Sequence, residues 1–116
     1  MRVTRIVPNL HAVDVAAANR WYASVFGLQV RMDLGWVGNV GPADHENVQL
    51  QLMNVDASSD VDPLISIGVD DVDEAYRRVV ESGAPIVYGP SDEAWGVRRF
   101  FLRDPDGNVV NVVSHR

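Results

Sequence analysis

The chain has 116 residues, 47% of them hydrophobic, a size and content that suit one domain with a packed core. Its formal charge of −6 argues against nucleic acid as a partner, because phosphate binding needs a basic surface. It has no cysteine, which excludes disulfides, thiolate nucleophiles and cysteine-held zinc.

No run of some 18 apolar residues is present, so no membrane partner is expected. The opening MRVTRIVPNLHAVDV has neither the apolar region nor the cleavage site of a secretory signal, and the expected location is cytoplasmic.

Alternation from Val3 to Val13 predicts a strand. Asp14 then stands where a helix N-cap would, and Val15, Ala18, Tyr22, Val25 and Phe26 recur at helical spacing until Gly27 stops them. Three strands follow, Gln29–Leu34, Trp36–Gly41 and Asn47–Asn54, separated by Gly35 and GPADHE. The polar, proline-ended stretch 55–63 reads as a linker. The pattern then begins again. Leu64–Val69 is a strand, and Asp71 is an N-cap with Glu74 completing a capping box. Val72, Ala75, Tyr76 and Val79 line a helix up to Gly83, and strands follow at Ile86–Tyr88, Val97–Arg103 and Val109–Ser114. Residues 1–54 and 64–116 are thus two copies of a βαβββ module, an α+β class of fold in which each sheet has one helix-covered face.

The segments VDVAAANRWYASVFGL and WGVRRFFLRDPDGNVVNVV carry a resemblance to the vicinal-oxygen-chelate superfamily of glyoxalases, extradiol dioxygenases and bleomycin-resistance proteins. The resemblance implies that the two modules form a cup-shaped, curved mixed sheet with the helices outside. It also implies a divalent ion held by His or Glu on four strands in the metal-dependent members. By that resemblance the four places fall on Val7, Gln51, Leu64 and Asn111. Two aliphatics and two neutral amides do not suit ions that want carboxylate or imidazole. A slip of one residue offers only Ile6 or Pro8, Leu50 or Leu52, Pro63 or Ile65, and Val110 or Val112. The expectation is therefore no metal, no cofactor and no assigned catalytic residue.

Strand alternation extends the register. With Val7, Gln51, Leu64 and Asn111 on the concave face, Asn9, His11, Gln49, Met53, Ser66, Gly68, Val109 and Val113 share it. Leu10, Ala12, Val48, Leu50, Leu52, Ile65, Ile67, Val69, Val110 and Val112 fall on the helix side. Asn9, His11, Gln49, Gln51, Ser66 and Asn111, with Trp36 and Trp95 at glycine-flanked rim turns, are the expected ligand-binding residues. A wet sheet face or subunit contact is the plain alternative for the polar ones. Trp21 is assigned to core or dimer surface, and His45 and His115 to solvent. One of Arg98 and Arg99 should face the cavity, and Asp92 and Glu93, with Asp44 and Glu46, form an acidic rim or a solvated loop.

The functional expectation is a metal-independent binding protein of the bleomycin-resistance type. It would sequester a hydrophobic or planar metabolite or antibiotic, a cationic one included, and it would form a homodimer. The alternatives are a lyase, isomerase or dioxygenase-like enzyme using His11 or displaced metal ligands, and a subunit whose cup is empty.

Overall fold

A computed structural model of the chain describes Met1–His115. The elements run β1 (Val3–His11), α1 (Val15–Phe26), β2 (Gln29–Asp33), β3 (Val37–Gly41), β4 (Leu50–Met53), β5 (Ile65–Val69), α2 (Val72–Ser82), β6 (Ile86–Asp92), β7 (Val97–Arg103) and β8 (Val109–His115). The expected α+β class and the repeated βαβββ order are what the chain forms. It divides into two compact units, Val7–Asp62 and Met1–Ile6 with the chain from Pro63 onward. The start of β1 thus groups with the second module. Arg2 explains why, because its backbone N–H donates to Asp70 Oδ1 at 2.7 Å and its carbonyl accepts from Asp70 N at 3.1 Å.

In the unit Val7–Asp62, α1 begins as its cap predicts, with Asp14 Oδ1 accepting from Ala17 N at 3.0 Å, and ends at Gly27 in the left-handed region. The strands lie in the order β2-β3-β4-β1, antiparallel except for the parallel pair β4 and β1. Ala12, Val15 and Leu52 make the buried core, with Ala18, Tyr22 and Leu50 packed against them. α1 lies close enough that a Cβ on Gly38 would stand 2.6 Å from the Asn19 side chain, which is why glycine occupies that strand position.

The second unit repeats the plan with order β6-β7-β8-β5 and the parallel pair β8 and β5. Asp71 caps α2 by accepting from Glu74 N at 3.1 Å, and the Glu74 carboxylate accepts from Arg77 and Arg78. Phe100, Val69, Val72, Ala75, Val110 and Val112 form its core, with Tyr76 meeting Phe100 edge to face.

Most strand ends shift by one or two residues from the pattern reading, and three differences bear on the site. Trp36 precedes β3, β4 begins at Leu50 rather than Asn47, and β6 continues to Asp92. The late start of β4 follows from Arg31, whose guanidinium donates to the carbonyls of Pro42, His45, Glu46 and Val48 and so holds that segment as a loop. β6 survives its Gly89-Pro90 interruption by shifting register against β7 on both sides of Tyr88. The expected parity holds for most helix-side positions, but Leu10 and Val48 are exposed. Val48 lies in the Arg31-bound loop, its N–H donating to His45 O.

Candidate functional site

The face of the first unit's sheet away from α1 carries a row of neutral amides. Gln51 stands in register with Asn9 on β1 and with Asn39 on β3. Asn39 is buried and donates through Nδ2 to Gln49 Oε1 at 3.0 Å, and Gln49 Nε2 donates to the Glu46 carbonyl at 3.0 Å. The next row is His11, Met53 and Val37. Met53 and Val37 are buried, as is Val7, while His11 is exposed. Trp36 is half-buried, and its carbonyl accepts from Asn54 N at 2.9 Å.

In the second unit the pseudo-equivalent row is Ser66, Asn111 and Phe101, extended by Tyr88 on β6. Asn111 and Ser66 are buried, and Asn111 Nδ2 lies 3.0 Å from Ser66 Oγ. One position along β7, on the same face as Phe101, Arg99 takes the place that Val37 takes in the first unit. Its guanidinium carbon stands 4.7 Å from the ring centre of Phe101, 4.9 Å from Trp95 and 5.3 Å from Tyr88. Glu93 lies 3.4 Å from it, with the two side chains 3% (Glu93) and 5% (Arg99) exposed, and Tyr88 donates its hydroxyl to the same carboxylate.

This settles which of the adjacent arginines turns inward. Arg98 points the other way, to Asp73 at 3.1 Å and Asp92 at 3.4 Å. An open cavity of about 340 Å³ on that side is lined by Asp73, Asp92, Glu93, Gly96, Val97 and Arg98, none of them an expected ligand-binding residue. Glu93, read as part of an acidic rim or solvated loop, is instead a buried partner of Arg99.

The structure therefore gathers Asn9, Gln49 and Gln51 in one row system of the first unit, and Ser66, Asn111 and Trp95 on one face of the second. His11 lies in the neighbouring row of the first unit, in register with Met53, and Trp36 directly precedes β3. Asn39, Tyr88, Phe101, Glu93 and Arg99 complete these faces. The pairing of β3 with β4 and of β7 with β8 is what puts Asn39, Arg99 and Phe101 on these faces, and Tyr88 and Glu93 depend on the register shifts of β6.

Of the other histidines, His45 pairs with Asp44 at 3.7 Å in an exposed loop. His115 meets Arg5 at 3.0 Å, and burial together with that guanidinium pushes its imidazole below its usual range.

The four places that the resemblance marks for metal ligands carry side chains that do not fit a divalent ion. Val7 is wholly buried hydrocarbon, Leu64 is hydrocarbon, and Gln51 and Asn111 are neutral amides, the latter engaged with Ser66. Among the described residues no three His, Asp or Glu side chains are grouped as an ion would need.

The family model for the Glyoxalase/Bleomycin resistance protein/Dioxygenase superfamily matches residues 5–112. Among solved structures, the chain is similar to one described as NAD-dependent benzaldehyde dehydrogenase from Legionella pneumophila, at 16% identity and TM-score 0.76 over 96% of this chain and 99% of that one. It is similar to methylmalonyl-CoA epimerase from Mycobacterium tuberculosis, at 20% identity and TM-score 0.74 over 98% and 89%. It is also similar to a Mn(II)-bound glyoxalase from Novosphingobium aromaticivorans, at 24% identity and TM-score 0.71, covering 97% of this chain and 39% of that one. At these identities the likeness shows the fold alone. No curated protein matches the sequence.

Proposed function

The chain belongs to the glyoxalase/bleomycin resistance protein/dioxygenase superfamily, and on that premise we propose that it captures a hydrophobic or planar small molecule without a metal ion. One observation carries the reading. At the two pseudo-equivalent strand positions where a carboxylate would grip an ion stand Gln51 and Asn111, and their register neighbours Asn9, Asn39, Ser66 and Phe101 are all uncharged. Such rows orient an organic guest by hydrogen bonds while the buried Val7, Met53, Val109 and Val113 supply apolar surface. Trp36 and Trp95 offer rings for stacking. Sequestration of a metabolite or an antibiotic needs affinity rather than bond-making, which agrees with a donor set of this kind.

The net charge of −6 supports tolerance of a cationic guest. A homodimer is part of the proposal, supported by Trp21, Val25 and Phe26, which α1 leaves exposed. An enzymatic role for His11 finds less support, since its register neighbours Met53 and Val37 offer no acid or base to orient it.

The test is a titration of intrinsic tryptophan fluorescence with a panel of planar natural products, with and without EDTA. Saturable quenching that EDTA leaves unchanged is expected. Loss of binding in EDTA, restored by a divalent ion, contradicts the proposal.

A further inference from the structure

The hydrogen-bond chain in the first unit has a fixed direction. The Glu46 carbonyl can only accept, so Gln49 must turn Nε2 toward it. Gln49 Oε1 then faces Asn39, and Asn39 must present Nδ2 to it. Asn39 Oδ1 is left as an acceptor, buried and without a hydrogen-bond partner, in a side chain 6% exposed. A backbone carbonyl two bonds away thus determines which end of the amide is left over.

A buried acceptor without a donor is costly, and the fold does not require one here. The pseudo-equivalent position in the second unit holds Phe101, fully buried. Asn19 Oδ1 and Asn111 Oδ1 are buried acceptors of the same kind. Asn19 lies on the helix-covered side, wedged against Gly38, and Asn111 belongs to the other unit, where its Nδ2 meets Ser66 Oγ and no fixed carbonyl sets which end is left over. Asn39 is on the opposite face, in register with Gln51, and Gln51 with Asn9. Gln51 beside it and Asn9 beyond are only half-buried, so solvent reaches the amides of the same row.

We infer that Asn39 Oδ1 is the acceptor of a ligand subsite on this sheet face, and that the guest meets it with an N–H or O–H donor. A carboxylate or ether in that place would set lone pairs against a carbonyl oxygen. The inference rests on the capture reading above and adds the chemistry of the group captured.

Benzamide, N,N-dimethylbenzamide and benzoate test it. The first carries an N–H donor, while the second keeps the ring and carbonyl without the donor, and the third is an anion. Binding is followed by the side-chain amide signals of Asn39 and Gln49 in nitrogen-edited NMR of the full chain, and by tryptophan fluorescence. Benzamide should shift the Asn39 signal saturably, with the dimethyl analogue and benzoate roughly tenfold weaker. The gap should close in Asn39→Leu. If that variant fails to fold, Gln49→Met serves, because it frees the Asn39 amide to turn either end outward and should likewise erase the preference.

Equal binding of benzamide and its dimethyl analogue overturns the donor assignment and leaves capture standing. So does a preference that persists in the variants, or an Asn39 signal that no probe moves while fluorescence saturates. Absence of saturable quenching by every planar probe overturns the capture reading, and the assignment falls with it.

Discussion

Arg98 and Arg99 are neighbours in sequence on opposite faces of β7, and replacing each by methionine separates what burial does to an ion pair. Arg99→Met leaves the Glu93 carboxylate, 3% exposed, facing Tyr88 without its guanidinium, and removes the cation lying among three rings. Breaking one side of a buried pair costs about 3 kcal/mol, roughly 12 °C in melting temperature for a chain of this size. Arg98→Met breaks contacts to Asp73 and Asp92, whose side chains are 62% and 70% exposed, and should cost less than about 1 kcal/mol. The pseudo-equivalent position of Arg99 in the first unit is Val37, buried and apolar, so the strand itself tolerates hydrocarbon there. Arg99→Met combined with Glu93→Gln should therefore recover much of the loss. Urea and thermal unfolding of the wild type, Arg98→Met, Arg99→Met, Glu93→Gln and the double variant measures this. Equal losses for the two single arginine variants, or a double variant at the sum of its singles, would refute the reasoning.

Four further outcomes follow. Asp70, Glu74 and Asp104 are each held below the ordinary carboxylate range, by the Arg2 backbone N–H, by the Arg77 and then Arg78 side chains, and by the Asn108 side chain respectively. Their folded pKa values are depressed, so their contribution is complete above the usual 3.8 to 4.5 and is lost as pH falls through the folded values. Urea midpoints between pH 5 and pH 2 should decline, less steeply in Asp104→Asn. His115, depressed by burial and then by Arg5, adds a stability term present above 6.5 and lost as pH falls below it, which His115→Gln should remove. Gly38→Ala drives a Cβ into Asn19 and Val15 at 2.6 and 2.8 Å and should cost about 1–3 kcal/mol by thermal unfolding. Arg31→Gln should raise amide hydrogen exchange across 42–48 while leaving α2 protected, since only that loop depends on its guanidinium.

Much of the fold was legible because its signals are local. Asp14 and Asp71 cap their helices as predicted, and Gly27 and Gly83 end them in left-handed conformation. Alternation, started from the four places the resemblance implied, put Ser66 on the face of Asn111 and Asn9 on that of Gln51, because one register position determines the face of every other in the strand; the structure pairs them directly. Asn39 escaped because VGNVG has no apolar–polar alternation, with a valine on each face, so only its pairing with Gln51 on β4 marks its side. The Arg99 cage escaped for a different reason. It joins β7 to β6 and the turn holding Glu93 and Trp95, and the register across that hairpin shifts at Tyr88, which no period-two count contains. The extent of β4 depended on Arg31 bonding to backbone carbonyls 11 to 17 residues away, a contact without a sequence pattern.

The central claim is that neutral amides, not an ion, stand at the heart of each unit's sheet face. Elemental analysis of protein purified from metal-replete cells, without chelator, tests it most directly. Divalent metal far below one ion per chain is predicted, with planar probes still binding saturably. One tightly held ion per chain, lost on substituting Gln51 or Asn111 by leucine, would contradict it.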